Sequence, residues 1–171
     1  MARPSNTDAR RAAIAAALQR VMARTGYERA SVAAIAREAG LSPGLVHYHF
    51  GSKLDVLLAL IDAMEARVAA RVEHAMSAAT DPWGRVDALL HGLLALGDEA
   101  DTGAAACWAQ IGAEAQRIPE VGQAYRDALA RWRGRLIEAL TAAGAPDPIG
   151  LALLALLAAE GAWRVGHGAP S

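Results

Sequence analysis

The stretch of sequence that decides the fold lies between residues 31 and 53. It reads Ser31-Val-Ala-Ala-Ile-Ala-Arg-Glu-Ala-Gly-Leu-Ser-Pro-Gly-Leu-Val-His-Tyr-His-Phe-Gly-Ser-Lys53. Ser31 is a suitable N-cap for one short helix, and Ser42, followed by proline, opens a second. Ala36 is small enough for the two helices to cross closely, and Gly40 permits the tight turn between them. The spacing predicts a helix-turn-helix.

The second helix of this pair has an inner and an outer face. Val46 and, one turn later, Phe50 are expected to point into the core. The outward positions, where a recognition helix would meet base edges in the major groove, are then Gly44, Leu45, His47 and Tyr48.

The charge of the chain is divided between its two ends. Residues 1–53 carry eight basic and three acidic groups, a balance of +5, whereas residues 54–171 carry nine arginines and fifteen acidic groups, a balance of −6. Lys53 is the only lysine among 17 basic residues. The N-terminal part therefore suits a polyanion such as nucleic acid, and the rest does not.

Composition excludes several classes of protein. With 171 residues and 54% hydrophobic side chains, the chain is too apolar for intrinsic disorder. Cys107 is the only cysteine, which excludes an intrachain disulfide and a cysteine zinc site and favours a reducing, cytoplasmic location. His47 and His49 are two residues apart and face different directions on a helix, so no metal or other cofactor is expected. The N-terminus lacks a secretory signal, and no apolar window approaches the roughly 20 residues that span a membrane.

Outside the quoted stretch the pattern is helical throughout. Capping residues and helical periodicity predict about eight helices, no strands and no repeats, with further helices at about 8–25, 52 onward, 82–97, 104–117, 119–143 and 148–165. The predicted fold is all-α, with an N-terminal three-helix domain (residues 1–51) joined by a long helix to a helical C-terminal domain (residues 52–171).

Residues 9–62, and most closely the run Leu41-Ser-Pro-Gly-Leu-Val-His-Tyr-His-Phe-Gly-Ser-Lys-Leu, resemble the TetR family of bacterial transcriptional repressors. The resemblance implies a DNA-binding domain, a connecting fourth helix, a C-terminal ligand-binding and dimerisation domain, and induction by a small molecule. It also implies that Gly44, Leu45 and His47 face bases, and that phosphates are contacted by Ser31, Ser42, Tyr48, His49 and Lys53. Arg3, Arg10 and Arg11 are either an arm for the minor groove or a solvated terminus.

The second half resembles a BetI-like subset of that family, through residues 104–143 and the step Glu160-Gly-Ala-Trp163. This resemblance implies an effector pocket, for an apolar or cationic small molecule, lined by Trp83, Leu90, Leu94, Cys107, Trp108, Ile111, Glu114 and Tyr125. Glu114 lies on an otherwise apolar helix face. Its carboxylate is either a counter-charge for a cationic effector or is paired within the chain, for example with Arg126.

The last helix is apolar nearly all round, and its expected partner is the same helix of a second subunit. The predicted dimer contacts are Leu153, Leu156, Leu157, Glu160 and Trp163. Family members usually continue into a further helix, so this surface is either smaller here or built from other helices.

These observations predict a ligand-responsive repressor that binds double-stranded DNA, at a palindromic operator, as a homodimer and is released by a small molecule. The alternative is a helical interaction module with a relic or non-sequence-specific DNA-binding domain. An enzyme is not expected, because the sequence pairs no nucleophile with a base and has no metal-ligand spacing or phosphate-binding glycine loop.

Overall fold

The computed structural model describes residues 6–94 and 102–165, without the side chains of residues 94, 102 and 162–165. Over these ranges the chain forms eight α-helices and no strand, which confirms the predicted all-α fold. The helices are α1 (Asn6–Arg29), α2 (Val32–Ala39), α3 (Pro43–His49), α4 (Lys53–Ser77), α5 (Pro82–Leu94), α6 (Thr102–Glu114), α7 (Pro119–Ala142) and α8 (Pro148–Val165).

Local capping sets the boundaries of the short helices. The Ser31 hydroxyl oxygen accepts a hydrogen bond from the Ala34 amide at 3.1 Å, and the Ser42 oxygen accepts one from the Leu45 amide at 3.3 Å. Gly40 ends α2 in the left-handed region with φ +67°, which few side chains tolerate. The predicted turn between α2 and α3 is therefore present.

Helix α1 changes direction at Gly26, which has φ +75° and ψ 163°. The sequence predicts the helix to stop at this glycine. The structure instead shows a kink followed by one further turn. Residues 27–29, here called the α1 tail, belong to this last turn, and Tyr27 within it is buried.

The long connecting helix α4 begins where the sequence predicts. The Ser52 hydroxyl oxygen accepts a hydrogen bond from the Asp55 amide at 3.1 Å. At about 1.5 Å per residue, the 25 residues of α4 make a helix about 38 Å long. Two ion pairs, Arg131 with Glu65 and Arg135 with Glu73, join it to α7.

The buried side chains form two clusters. The first combines α1, α2, α3 and the N-terminal half of α4 with residues of α6 and α7, among them Trp108, Ile111 and Val121. The second combines the C-terminal half of α4 with α5, the C-terminal half of α7 and α8. Hydrophobic packing is thus continuous across the predicted domain boundary at residues 51 and 52, which remains a prediction.

Helix α6 joins the C-terminal part of the chain to the N-terminal part through its packing on α1. Helix α6 packs against α1, α7 and α8, whereas α4 packs against α1, α5 and α7. Within the described ranges, α4 and α6 share no substantial interface. The α6 side chains Cys107, Trp108 and Ile111 belong to the first core cluster, together with residues of α1 and of the N-terminal half of α4.

Candidate DNA-binding surface and effector site

Helix α3 separates its core residues from its outward residues. Val46 and Phe50 are buried, as predicted, while Gly44, Leu45 and His47 are exposed. Tyr48 is 81% exposed and its ring meets that of His49 edge to face at 5.1 Å. The ring and the hydroxyl of Tyr48 are therefore accessible on the outer face of the helix-turn-helix.

The serines of the predicted phosphate set serve as helix caps. Ser31 and Ser42 accept backbone hydrogen bonds through their oxygens, and both residues are exposed. A hydroxyl has one donor and two acceptor lone pairs, so capping leaves the O–H available to donate to a phosphate oxygen. The capping role and the predicted phosphate contact are therefore compatible.

Lys53, in the first turn of α4, is attached to the α1 tail. Its ammonium donates to the carbonyl oxygens of Tyr27 at 2.9 Å and Glu28 at 3.4 Å, and lies 4.2 Å from the centre of the Tyr27 ring. These carbonyls belong to the last turn of α1, where a cation is favoured. Sequence reasoning missed this contact, because it joins residues 26 positions apart.

Arg11 fastens the beginning of α1 to the end of α3. Its guanidinium donates to the His49 carbonyl oxygen and lies 4.1 Å from the centre of the Phe50 ring. Neither predicted alternative for Arg11, a minor-groove arm or a solvated terminus, describes this position. Arg10 is exposed, and Arg3 lies outside the described residues.

Helix α2 is fixed to α1 by charge. Arg20 and Arg24 of α1 both bond the Glu38 carboxylate, and these bonds hold the pKa of Glu38 below its usual value. The helix-turn-helix is thereby positioned by contacts of α1 with both α2 and α3.

Three side chains from α6, α7 and α8 meet in the C-terminal part, and we call them the aromatic–carboxylate cluster: Trp108, Tyr125 and Glu160. The two rings stack, with centroids 4.9 Å apart and planes inclined by 27°. The Glu160 carboxylate accepts hydrogen bonds from the Trp108 indole N–H at 3.1 Å and from the Tyr125 hydroxyl at 2.5 Å. The carboxylate is therefore held at the polar edges of two stacked aromatic rings.

The structure divides the predicted effector residues. Cys107, Trp108, Ile111 and Tyr125 lie in or against the first core cluster. Leu90 packs against the second cluster, and Trp83 is 54% exposed in the first turn of α5, so neither lies with the aromatic–carboxylate cluster. The side chain of Leu94 lies outside the described residues.

The structure places Glu114 and Glu160 beside groups of their own chain. Arg126 bonds to Gln123, whereas Glu114 interacts electrostatically with Arg117 and Tyr27. Glu160 bonds to the aromatic pair of its own chain, and its contact with a second subunit stays a prediction. The sequence of α8 does not indicate which side of the helix packs on the rest of the subunit, because nearly every position is apolar, and so it could not predict the partners of Glu160.

The described part of α8 turns its small side chains inward and its large ones outward. Ala152 and Ala159 are buried, and Leu156 packs half-buried against the second cluster. Of the predicted dimer contacts, Leu153 is 44% and Leu157 is 68% exposed, while the Trp163 side chain lies outside the described residues. The exposed apolar residues, here called the α8 face, are Ile149, Leu151, Leu153, Leu154 and Leu157.

Among the described residues, no helix is long and apolar enough to cross a membrane. No group of three or more histidine, cysteine, aspartate or glutamate side chains comes together there in a way that would hold a metal ion.

Comparison with known proteins identifies relatives of both halves of the chain. The family model of bacterial regulatory proteins of the tetR family matches residues 13–60, which contain the helix-turn-helix. The chain is 32% identical over 160 residues to the HTH-type transcriptional regulator BetI of Rhizobium meliloti (strain 1021). That alignment covers 94% of this chain and 72% of the relative.

Solved structures extend the similarity to the whole fold. A transcriptional regulator from Rhodococcus sp. Rha1 is 29% identical with a TM-score of 0.81, covering 94% of this chain and 84% of that one. A transcriptional regulator from Saccharomonospora viridis in complex with choline is 24% identical with a TM-score of 0.79, covering 94% and 88%. The chain therefore belongs to the TetR family of bacterial regulatory proteins, resembles its BetI members, and is a DNA-binding transcription regulator rather than an enzyme.

Proposed function

We propose that this regulator is a homodimeric repressor that binds a palindromic operator and is released by a small organic cation. The observation that carries the proposal is the outer face of α3, where Leu45, His47 and Tyr48 project from a helix anchored by buried Val46 and Phe50. As a DNA-binding regulator it would act in the cytoplasm, where bacterial DNA is found.

The exposed residues divide by their chemistry into two groups. Leu45 and His47, with Gly44, would face bases: leucine offers apolar contact to a thymine methyl, and imidazole offers a hydrogen bond to a base edge. Tyr48, His49, Lys53 and the serine hydroxyls would contact phosphates, which fix the register of the helix on the duplex. The positive balance of residues 1–53 supports this arrangement.

Dimerisation through the α8 face is supported by the exposed leucines. A helix that packs only within its own chain normally buries its leucines, because each buried leucine contributes about 1.5–3 kcal/mol. Here the buried positions are largely alanines and the exposed ones are leucines. A second copy of α8 would cover this face, and twofold symmetry would place two recognition helices about 34 Å apart, one turn of DNA.

The aromatic–carboxylate cluster supports an effector that is an organic cation. Indole and phenol rings attract cations through their faces, and the Glu160 carboxylate, at the polar edges of the same two rings, would attract a cation by its charge. The regulator from Saccharomonospora viridis that shares the fold is in complex with choline, a quaternary ammonium compound. Choline is accordingly the first compound to test.

The proposed response follows from the position of these groups. The effector would bind where α6, α7 and α8 meet and change the position of the helix-turn-helix, so that the two half-sites no longer match the operator spacing. A coupling free energy of about 1–3 kcal/mol between effector and DNA is enough for a useful response.

Selection of DNA from random duplexes tests the proposal. The purified protein is carried through several rounds at near-physiological salt, and the enriched duplexes are sequenced. A palindrome with half-sites about one turn apart is the expected result. Salt-sensitive binding without enrichment would contradict the repressor function and favour the alternative, a helical interaction module whose DNA-binding domain is a relic.

A further inference from the structure

The α1 tail lies between the DNA-binding end of the molecule and the end of α6. The kink at Gly26 directs the tail away from the axis of the preceding helix. Tyr27 and Ala30 are buried, so the tail is anchored in the first core cluster and does not fray. Two neighbouring segments contact the tail through charged side chains: the first turn of α4 through Lys53, and the turn between α6 and α7 through Arg117.

On one side, the tail contacts the first turn of α4. The Lys53 ammonium bonds the carbonyl oxygens of Tyr27 and Glu28 and covers the Tyr27 ring. Lys53 is also the residue proposed to contact DNA phosphate. A displacement of the tail would therefore displace a group on the DNA-binding surface.

On the other side, the tail contacts the turn between α6 and α7. Arg117 forms an ion pair with Glu28, at 2.5 Å between Nη2 and Oε1, and the Glu28 carboxylate raises the pKa of Arg117. Burial and the neighbouring Glu114 carboxylate raise the pKa of Tyr27. The Arg117–Glu28 ion pair therefore joins the tail to the turn after α6.

This arrangement matters because α4 and α6 share no substantial interface among the described residues, whereas α6 packs directly on α1. Trp108 of α6 and the N-terminal half of α4 belong to one core cluster, together with residues of α1. A polar route runs beside this packing: from α6 to Arg117 in the turn that follows it, across to Glu28, and through the tail carbonyls to Lys53.

We propose that the α1 tail couples the effector site to the DNA-binding surface, and that the Glu28–Arg117 ion pair is the positioning contact of this coupling. The inference rests on the proposed function in one respect, that DNA binds at α3 and the first turn of α4. It does not depend on the identity of the effector, because coupling between two binding sites is reciprocal. If the effector site influences DNA binding through the tail, DNA binding must in turn alter the turn between α6 and α7.

Hydrogen exchange of the full chain, with and without a duplex of about 30 base pairs carrying the selected site, measures this reciprocal effect. The probes are the amides of residues 115–118, each hydrogen-bonded to a carbonyl of α6. DNA is expected to slow their exchange by about 5-fold or more, along with exchange in α3 and the start of α4.

The informative variant is Glu28→Gln, because it removes the ion pair and keeps the shape of the side chain. Both partners are more than half exposed, so the pair contributes little to stability and the variant will fold. The matched control is Glu73→Gln, which removes a pair with the same 2.5 Å separation and the same 64% exposure of the glutamate, between α4 and α7.

The expected result is that Glu28→Gln abolishes the DNA-induced change at residues 115–118 and keeps the change at α3. The double variant Glu28→Arg, Arg117→Glu restores the remote change, and Glu73→Gln retains it. An unaltered remote change in Glu28→Gln, or none in the unsubstituted protein, would overturn the coupling and leave DNA binding intact. If DNA does not slow amide exchange at α3 in the unsubstituted protein, DNA does not bind there, and both the proposed DNA binding and the coupling are overturned.

Discussion

The Lys53 ammonium lies 4.2 Å from the centre of the Tyr27 ring and donates to the Tyr27 carbonyl oxygen at 2.9 Å, so the first turn of α4 is fastened to the end of α1. An ammonium has three N–H donors, and the two tail carbonyls take two of them. The lysine side chain is thereby ordered before DNA arrives. A phosphate contact made by this group would cost less conformational entropy than one made by a free lysine.

Replacement of Lys53 by alanine should weaken binding to every duplex sequence. Loss of one phosphate contact per protomer lowers the slope of log affinity against log salt by about 0.9 for each contact. Filter binding over a range of salt concentrations measures the slope. Lys53→Arg retains the charge and should retain the slope, whereas an unchanged slope in Lys53→Ala would refute the phosphate contact.

Replacement of His47 by alanine should change the base preference more than the nonspecific affinity. His47 is exposed on the outer face of α3, where a side chain meets base edges. Loss of a base contact costs about 1–3 kcal/mol at the affected position. Repeated selection should yield an altered site logo, and an identical logo would exclude base reading by this residue.

The matched control for His47 is Tyr48→Phe. This variant loses only the hydroxyl, which is proposed to bind phosphate, and keeps the ring that meets His49. It should weaken binding to all sequences and leave the logo unchanged.

Replacement of Leu157 by glutamate should produce monomers. Leu157 is 68% exposed within one chain, so a charge there costs the isolated subunit little and is costly only in an apolar interface. Sedimentation measures the change in mass. Ala70→Glu, at an exposed position on α4, is the control that should remain dimeric. A Leu157→Glu protein that stays dimeric would place the interface on other helices.

Replacement of Glu160 by glutamine should weaken choline binding about 10-fold. Glutamine keeps an oxygen that can accept from Trp108 or Tyr125 but removes the negative charge, which we assign to the cation. Calorimetric titration compares choline with 3,3-dimethylbutan-1-ol, in which carbon replaces the charged nitrogen. A tenfold change corresponds to about 1.4 kcal/mol, within the range of cation recognition by aromatic side chains. Equal binding of the two compounds would argue against a cationic effector.

Local signals in the sequence were sufficient for the beginnings of α2, α3 and α4 and for the faces of α3. Serine caps at residues 31, 42 and 52 and the positive φ of Gly40 depend on groups three or four residues apart, and the sequence places those groups directly. Val46 and Phe50 share a face because of helical periodicity alone. The difference in charge between residues 1–53 and residues 54–171 is also read from the sequence alone, because it is a count of basic and acidic residues.

The tertiary structure decided the direction of α8, the partners of Glu160 and Lys53, and the packing of α6 on α1. A helix that is apolar nearly all round has no periodic signal, so only its neighbours determine that its alanines face the core and its leucines face solvent. Glu160 and Trp108 are 52 residues apart, and Lys53 and Tyr27 are 26 apart. Such contacts depend on how helices are placed relative to each other, because capping and periodicity act only within a helix.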